Sequence, residues 1–391
     1  MNKLRQVLSN NMRQYAMVFA LLVIIILFEI MTNGILLKPQ NVSRLILQNS
    51  YILILAIGML ICILTGGNID LSVGSQVAFI SAMSAVLSVT LGLPVWLSIV
   101  MGLAFGLLAG MGQGLAIAYM GIPSFVVTLA GMGIFRGINN LILNGLTIPL
   151  PNTYTVIASG SIPDFIGGVE GVNMAAVLLG IIAAVIIVIF MFISRAQKKA
   201  KGYDVPSMRS MIIRAVVLAG LINLVTYWLA LSDGIPIILV ILVALIGIYT
   251  FFTDMTITGR HVYAMGGNRK AAELSGVNTK RILFFAYSNM GLMAAVAGIV
   301  FAGRLGAASP TAGTGFELEC IAACFVGGAS MTGGIGKIWG AIIGGFIMGL
   351  LNNGMSIMGV STFWQDIIKG LVLLGAVAFD VYTKSRSTKS K

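Results

Sequence analysis

The side chains able to do chemistry are few and fall into two groups. Asn68, Asp70, Ser72, Ser75 and Gln76 cluster in and just after GGNIDLSVGS (66–75), between two apolar runs. Carboxylates, amides and hydroxyls accept and donate hydrogen bonds to sugar-like hydroxyls without demanding a charged solute. Asp70 also stands ahead of an apolar helix, where a carboxylate accepts orphan N–H groups and faces the positive dipole end. The cap and the solute contact are compatible readings.

The second group is GRHVYAMGGNRKAAELSGVNTKR (259–281), a polar island with five Lys or Arg in a chain otherwise built for lipid. Gly266-Gly267 provides a hinge, and Asn268 can cap a short helix beginning at Arg269. Gly276 can end that helix in a left-handed conformation. Ala271, Ala272 and Leu274 offer a small apolar surface flanked by charge, suited to a groove on a soluble partner. A plain solvated loop is the alternative from spacing alone. A membrane protein with such a handle suggests transport driven by an external motor.

The remaining chemistry is sparse. No GxxxxGK[ST] sequence exists: Gly336-Lys337 is followed by Ile338, and Met331 stands where the first glycine would be. ATP hydrolysis by the chain itself is therefore not expected. His261 is the only histidine, and Cys62, Cys320 and Cys324 lie in apolar runs, so core packing is a better reading than a metal site. No catalytic residue, metal or resident cofactor is expected. A proton-coupled carrier would carry relay groups inside several spans. Here Glu29 and Arg136 are the conspicuous buried charges; Arg136 could pair with Glu29, Glu317 or Glu319, or snorkel outward. Asp366 and Lys369, three apart, can pair locally.

These groups must be held by a polytopic, all-α membrane protein. Only 9% of its 391 residues are charged and 58% are hydrophobic, and mean hydropathy is +1.01, whereas a soluble domain carries roughly a quarter charged residues. At roughly 20 residues per span, the chain (1–391) reads as one transmembrane domain of about 10–12 helices. Apolar runs lie over 16–37, 45–64, 71–91, 94–119, 124–143, 173–193, 212–231, 236–253, 282–302, 317–330, 338–358 and 365–382. With both termini cytoplasmic, every Lys and Arg lies on or beside an inner loop except Lys38, Arg44, Arg304, Arg136 and Lys369. That is the asymmetry membrane insertion selects, so the formal charge of +12 reports orientation, with some attraction to anionic lipid, and not nucleic-acid binding. Lys3, Arg5 and Arg13 precede a long apolar run without an A-x-A-like exit, which reads as an uncleaved first helix.

Four further features organise the chain. Residues 144–172, without Lys or Arg, could carry a short helix on the outer surface. Residues 194–211 form a strongly basic inner loop, and the tail over 383–391 is polar, basic and expected to lack order. Gly102, Gly106, Gly110 and Gly114 recur every four residues, making a smooth stripe for close helix packing. GGNIDLSVGS and GGASMTGGIGKIWGAIIGG (327–345) both interrupt apolar runs, the pattern of an internal pseudo-repeat with irregular backbone lining a cavity.

The motifs GGNIDLSVGS, IPSFVVTLAGMGIFRGI (122–138), GRHVYAMGGNRKAAELSGVNTKR and ELECIAACFVGGASMTGGIGKIWGAIIGG (317–345) resemble, in order, the membrane permeases of bacterial ABC monosaccharide importers. The added helix pair over 173–231 and NNGMSIMGVSTFWQDIIKG (352–370) are similar to the xylose-type and multiple-sugar branch. The resemblance implies an inner-membrane subunit with the importer permease fold, paired with a second permease, most simply in a homodimer. It also implies a cytoplasmic ATPase with two nucleotide-binding domains, which binds the ATP, and an extracytoplasmic sugar-binding protein docking near 144–172 and 303–316. The coupling element would be Arg269, Lys270, Ala271, Ala272, Glu273, Leu274, Ser275 and Gly276. Rival expectations are an ABC permease for another solute, such as a nucleoside or autoinducer-like sugar, an ion-coupled carrier working alone, and a non-transporting scaffold.

Overall fold

The structure is a computed structural model that describes residues 2–389, with side-chain surroundings over 17–382. It is built from α1 (Asn2–Met31), α2 (Pro39–Leu64), α3 (Val73–Ala85, prolonged by a π-helical turn to Thr90), α4 (Val95–Ala118), α5 (Ser124–Leu143), α6 (Asn152–Ser159), α7 (Met174–Ala200) and α8 (Met208–Ala230). It continues through α9 (Ile237–Met255), α10 (Ile257–Gly267), α11 (Arg269–Leu274), α12 (Thr279–Leu305), α13 (Phe316–Val326), α14 (Ile338–Ile357) and α15 (Thr362–Lys389). Among the described residues ten helices are long and apolar enough to cross a membrane, and α1 adds the shorter apolar stretch Met17–Met31. The chain is a multi-pass helical membrane protein.

One expected span is corrected. The apolar run over 317–330 yields only α13, eleven residues long, which at 1.5 Å per residue covers about half the hydrocarbon thickness. Gly327 caps it and Gly328 takes φ +80°, after which Gly333, Gly334 and Gly336 lie in an irregular loop that runs to Lys337. The 194–211 loop is shorter than expected, because α7 runs to Ala200 and α8 begins at Met208. The side chains of the tail over 383–391 lie outside the described residues, as do those of Lys3, Arg5 and Arg13.

Caps set many of the boundaries. Asn173, Ser207, Thr256, Asn268 and Asn278 each accept a backbone N–H three residues on, opening α7, α8, α10, α11 and α12. Pro39 opens α2, where its missing N–H costs nothing. Gly306, at φ +67°, closes α12.

α2 and α12 form the centre of the bundle, and every residue of α2 from Ile52 to Leu64 is buried. α4 lies antiparallel along α12 through its glycine stripe: Gly102 faces Ile299, Gly106 faces Ala295, Gly110 faces Gly291 and Gly114 faces Phe284. A Cβ on Gly291 would stand 2.6 Å from the Gly110 Cα, so the two backbones touch. α14 packs antiparallel on α2 with Gly349 against Asn49 and Gly345 against Leu53. At one end of the bundle, α6 caps α12, with Gly303 against Tyr154 and Ala158. There β1 (Ile148–Pro149) pairs antiparallel with β2 (Ala307–Ala308). This is the short helix expected within 144–172. The opposite end carries α10, α11 and the basic segments, and is called the basic end.

Candidate functional site

Two irregular segments enter the bundle from its two ends and meet inside. From the basic end, α2 stops at Leu64 and residues 65–72 turn back before α3 begins. Tyr287, two turns into α12, donates its hydroxyl to Ile69 O at 3.2 Å, which places this return well inside the bundle. From the other end, residues 306–315 descend until Gly313 lies against Gly74 at the start of α3, with no room for a Cβ on either. Arg136 on α5 holds that descent by donating from Nη1 to the carbonyls of Pro310 (3.1 Å) and Ala312 (2.5 Å), while Asn139 Nδ2 donates to Pro310 O. Arg136 thus gives Nη1 to backbone oxygens, while Glu317, of the three carboxylates expected as partners, lies near enough to interact with it electrostatically. Glu29 accepts the Leu37 N–H at 2.9 Å. Glu319 instead pairs with Lys369 at 2.8 Å and accepts from Asn352, and Lys369 also meets Asp366 at 2.8 Å, as their spacing suggests.

Around Asp70, the residues Asp70, Ser72 and Gln76 join Gln113 of α4 in one buried network. Asp70 Oδ1 accepts the Ser72 N–H at 2.8 Å and the Ser72 hydroxyl at 2.6 Å. The N-cap of α3 is Ser72 and no side chain caps its first turn, so the expected capping role of Asp70 is corrected to fixing the turn just ahead of the helix. The same Ser72 Oγ accepts from Gln76 Nε2 and Gln113 Nε2, both at 2.7 Å, and Gln76 Nε2 also reaches Gln113 Oε1 at 3.0 Å. Asn68 is half-buried; it donates to Thr65 Oγ1 at 3.0 Å and accepts from Ser124 Oγ at 3.1 Å. Asp70, Ser72, Ser75 and Gln76 are enclosed, whereas Asn68 bonds only to Thr65 and Ser124 and the Ser75 hydroxyl has no hydrogen-bond partner. Gln113, Ser124 and Tyr287 bond to Ser72, Asn68 and Ile69 and were not singled out from the sequence. The available signal was Gln113 beside Gly114, a lone long polar side chain on the glycine-striped face of α4.

The island over 259–281 folds as two short helices. In α11 Asn268 Oδ1 accepts from Ala271 N at 3.0 Å, Ser275 Oγ donates to Ala271 O, and Gly276 takes φ +84°. Glu273 accepts from Thr279 Oγ1 at 2.7 Å and from Arg269 Nε at 3.1 Å, tying the helix to the start of α12. These donors hold the Glu273 carboxyl below the usual range, Thr279 first and Arg269 next. Ala272 turns into the corner and is buried, whereas Leu274 is 90% exposed at the tip. The apolar surface the helix offers outward therefore comes from Ala271 and Leu274.

α10 joins this tip to the broken crossing. Gly266 abuts the Leu64 carbonyl and Gly334, whose N–H donates to that same carbonyl at 3.1 Å. Gly333 in turn packs on Gly66, where a Cβ would be 2.5 Å from the Gly66 Cα. Tyr263 donates to Gly336 O at 2.8 Å. The chain of contact runs from α11 through α10 to both glycine loops and thence to Asn68 and Asp70.

Residues 41–377 match the family model described as the permease component of the branched-chain amino acid transport system. The chain belongs to this permease family. It is 41% identical over 382 residues to the xylose transport system permease protein XylH of Escherichia coli K12, covering 97% of this chain and 94% of that one. With the XylH of Haemophilus influenzae it shares 38% identity over 379 residues, covering 97% and 98%. The ribose import permease protein RbsC of the same Haemophilus strain is 31% identical over 364 residues, covering 93% and 92%. No solved structure gives a significant match. Among the described residues of this permease, no group of three or more His, Cys, Asp or Glu is placed to hold a metal ion.

Proposed function

We propose that this permease is the membrane-spanning subunit of an ATP-driven importer of a monosaccharide, xylose or a related pentose. Full-length similarity to two proteins named as xylose permeases supports the sugar class. The observation that carries the mechanism is the unbroken contact from the exposed tip of α11, through Gly266, to the two glycine loops around Leu64.

In this reading the basic end is cytoplasmic, as the Lys and Arg distribution favours, and both termini lie there. A cytoplasmic ATPase with two nucleotide-binding domains receives Arg269–Gly276 in its groove and binds the ATP, since this chain offers no P-loop of its own. A second permease subunit, most simply another copy, encloses the pathway. A sugar-binding protein delivers solute at the other end, near 144–172 and 303–316. Motion of α11 displaces Gly266 against Leu64 and Gly334 and so opens the return segment at Asn68–Gln76. Asp70 Oδ2, Ser75 Oγ and Gln76 Oε1 are buried without a protein partner, a costly arrangement that makes them suitable acceptors for sugar hydroxyls once the segment opens.

Liposomes test this directly. Labelled xylose should accumulate with the permease, ATPase, binding protein and ATP together, and should not cross with the permease alone under a proton or sodium gradient. Gradient-driven flux through the lone chain would establish a secondary carrier instead, and flux of ribose but not xylose would reassign the sugar.

A further inference from the structure

Outside the site just described, the densest uncompensated charge lies where α7 and α8 emerge at the basic end. Between Ser194 and Arg214 the chain holds six Lys and Arg against a single carboxylate, Asp204. Among the described residues none of these cations forms an ion pair with it. Arg195, Lys198 and Arg214 converge on a cavity of ≈ 230 Å³ whose remaining wall includes Phe190, Met191 and Met211. Arg195 donates Nε to Pro206 O at 3.2 Å. That bond fixes the guanidinium over the cavity and leaves both Nη groups for a ligand.

The same faces of the two helices continue into an apolar cavity of ≈ 570 Å³ lined by Leu179, Ala183 and Ile187 of α7, Leu221 and Val225 of α8, and Val243 of α9. Leu179, Ala183, Ile187, Met191 and Arg195 follow at four-residue intervals, so they lie along one strip of α7. Ile187 and Ala183 stand roughly 12 and 18 Å along the helix from Arg195, bracketing the ~15 Å that one leaflet contributes to a ~30 Å hydrocarbon core. The groove lies on the outside of this chain, where most of α7 and α8 is not buried. With α7 crossing the bilayer, these distances put the charged mouth at headgroup height and the floor at acyl-chain depth.

We infer that the α7–α8 groove binds one anionic phospholipid, its phosphodiester held by Arg195, Lys198 and Arg214 and an acyl chain laid along Ala183 and Ile187. A phosphate ester could also come from a soluble metabolite, but a free phosphate would leave the apolar strip unused. Basic pockets between transmembrane helices favour anionic headgroups, each cation near the surface contributing roughly a fivefold factor.

The test is native mass spectrometry of the purified full-length permease titrated with phosphatidylglycerol or with phosphatidylcholine of the same chains. The wild type should retain one phosphatidylglycerol in strong preference to phosphatidylcholine. Arg195→Gln, Lys198→Gln and Arg214→Gln together should cut that preference by about 100-fold. Ala183→Trp, which keeps every charge and fills the groove, should also release the lipid. Millimolar glycerol phosphate should displace nothing from the wild type, a measurement that needs no variant to fold. The inference is overturned if the triple variant keeps the wild-type preference. It is equally overturned if glycerol phosphate competes while Ala183→Trp binds as before, which would mark a soluble-phosphate site.

Discussion

Gly266 of α10 is wedged against Gly334, with the Leu64 carbonyl as the third side of the contact; a Cβ on Gly266 would stand 2.9 Å from the Gly334 Cα. Three segments far apart in sequence therefore meet with backbone on backbone. Such a joint transmits displacement because no flexible side chain lies between its parts, and packed cores respond to displacement in steps more than by smooth deformation.

Gly266→Val is expected to force this joint apart, lowering stability by about 3 kcal/mol and abolishing ATP-driven uptake. Gly267, one position on, has open space at its Cβ. Gly267→Ala should stay within about 0.5 kcal/mol of the wild type. Thermal unfolding in detergent beside uptake in liposomes separates the two.

Within the bundle, Glu319 and Lys369 form a largely buried pair on α13 and α15. Lys369→Met leaves the carboxylate facing Asn352 alone and should cost about 3 kcal/mol. Adding Glu319→Gln removes the stranded charge and should restore most of that loss. A double-mutant cycle on unfolding midpoints measures the coupling.

Asp70 and Ser72 separate a structural role from solute contact. Asp70→Asn keeps a side-chain oxygen for the Ser72 N–H and should cost less than Asp70→Ala, which strips both hydrogen bonds to Ser72 for about 1 kcal/mol. Ser72→Ala also loses the acceptor shared by Gln76 and Gln113, at about 1–3 kcal/mol. If Asp70 meets the sugar, Asp70→Asn lowers uptake more than its unfolding midpoint predicts.

The corner of α11 carries a pH signature. The Glu273 carboxyl is held below its ordinary range by Thr279 and Arg269, so its stabilising effect is complete above the unfolded pKa of about 4.3. The effect is lost as pH falls through the lower folded value. Hydrogen exchange at Ala271–Val277 should therefore quicken below about pH 4, relative to neighbouring segments. Glu273→Gln should show that faster exchange at neutral pH, with little further change on acidification.

Local grammar made much of this legible before any coordinates. Asn268 and Gly276 bound α11 where their capping and left-handed roles place them, and the four-residue glycine period on α4 marks the face that meets α12. The failures share a cause. The run over 317–330 is apolar enough to span, yet Gly327 and Gly328 stop it because the following loop packs on α2 and α10, which hydropathy does not register. Arg136 found backbone carbonyls 174 and 176 residues away; composition counts carboxylates and cannot see a re-entrant loop. Ala272 and Leu274 look alike as apolar helix residues, and only the turn onto α12 decides that one is buried and the other exposed.

The tip of α11 gives the most direct measurement. Leu274 touches little of its own chain, so Leu274→Glu should leave the unfolding temperature unchanged while reducing xylose uptake by the reconstituted importer at least about tenfold, the loss expected when a charge enters an apolar docking groove. Uptake at the wild-type rate by that variant, with ATPase binding intact, would contradict the assignment of α11 as the lever.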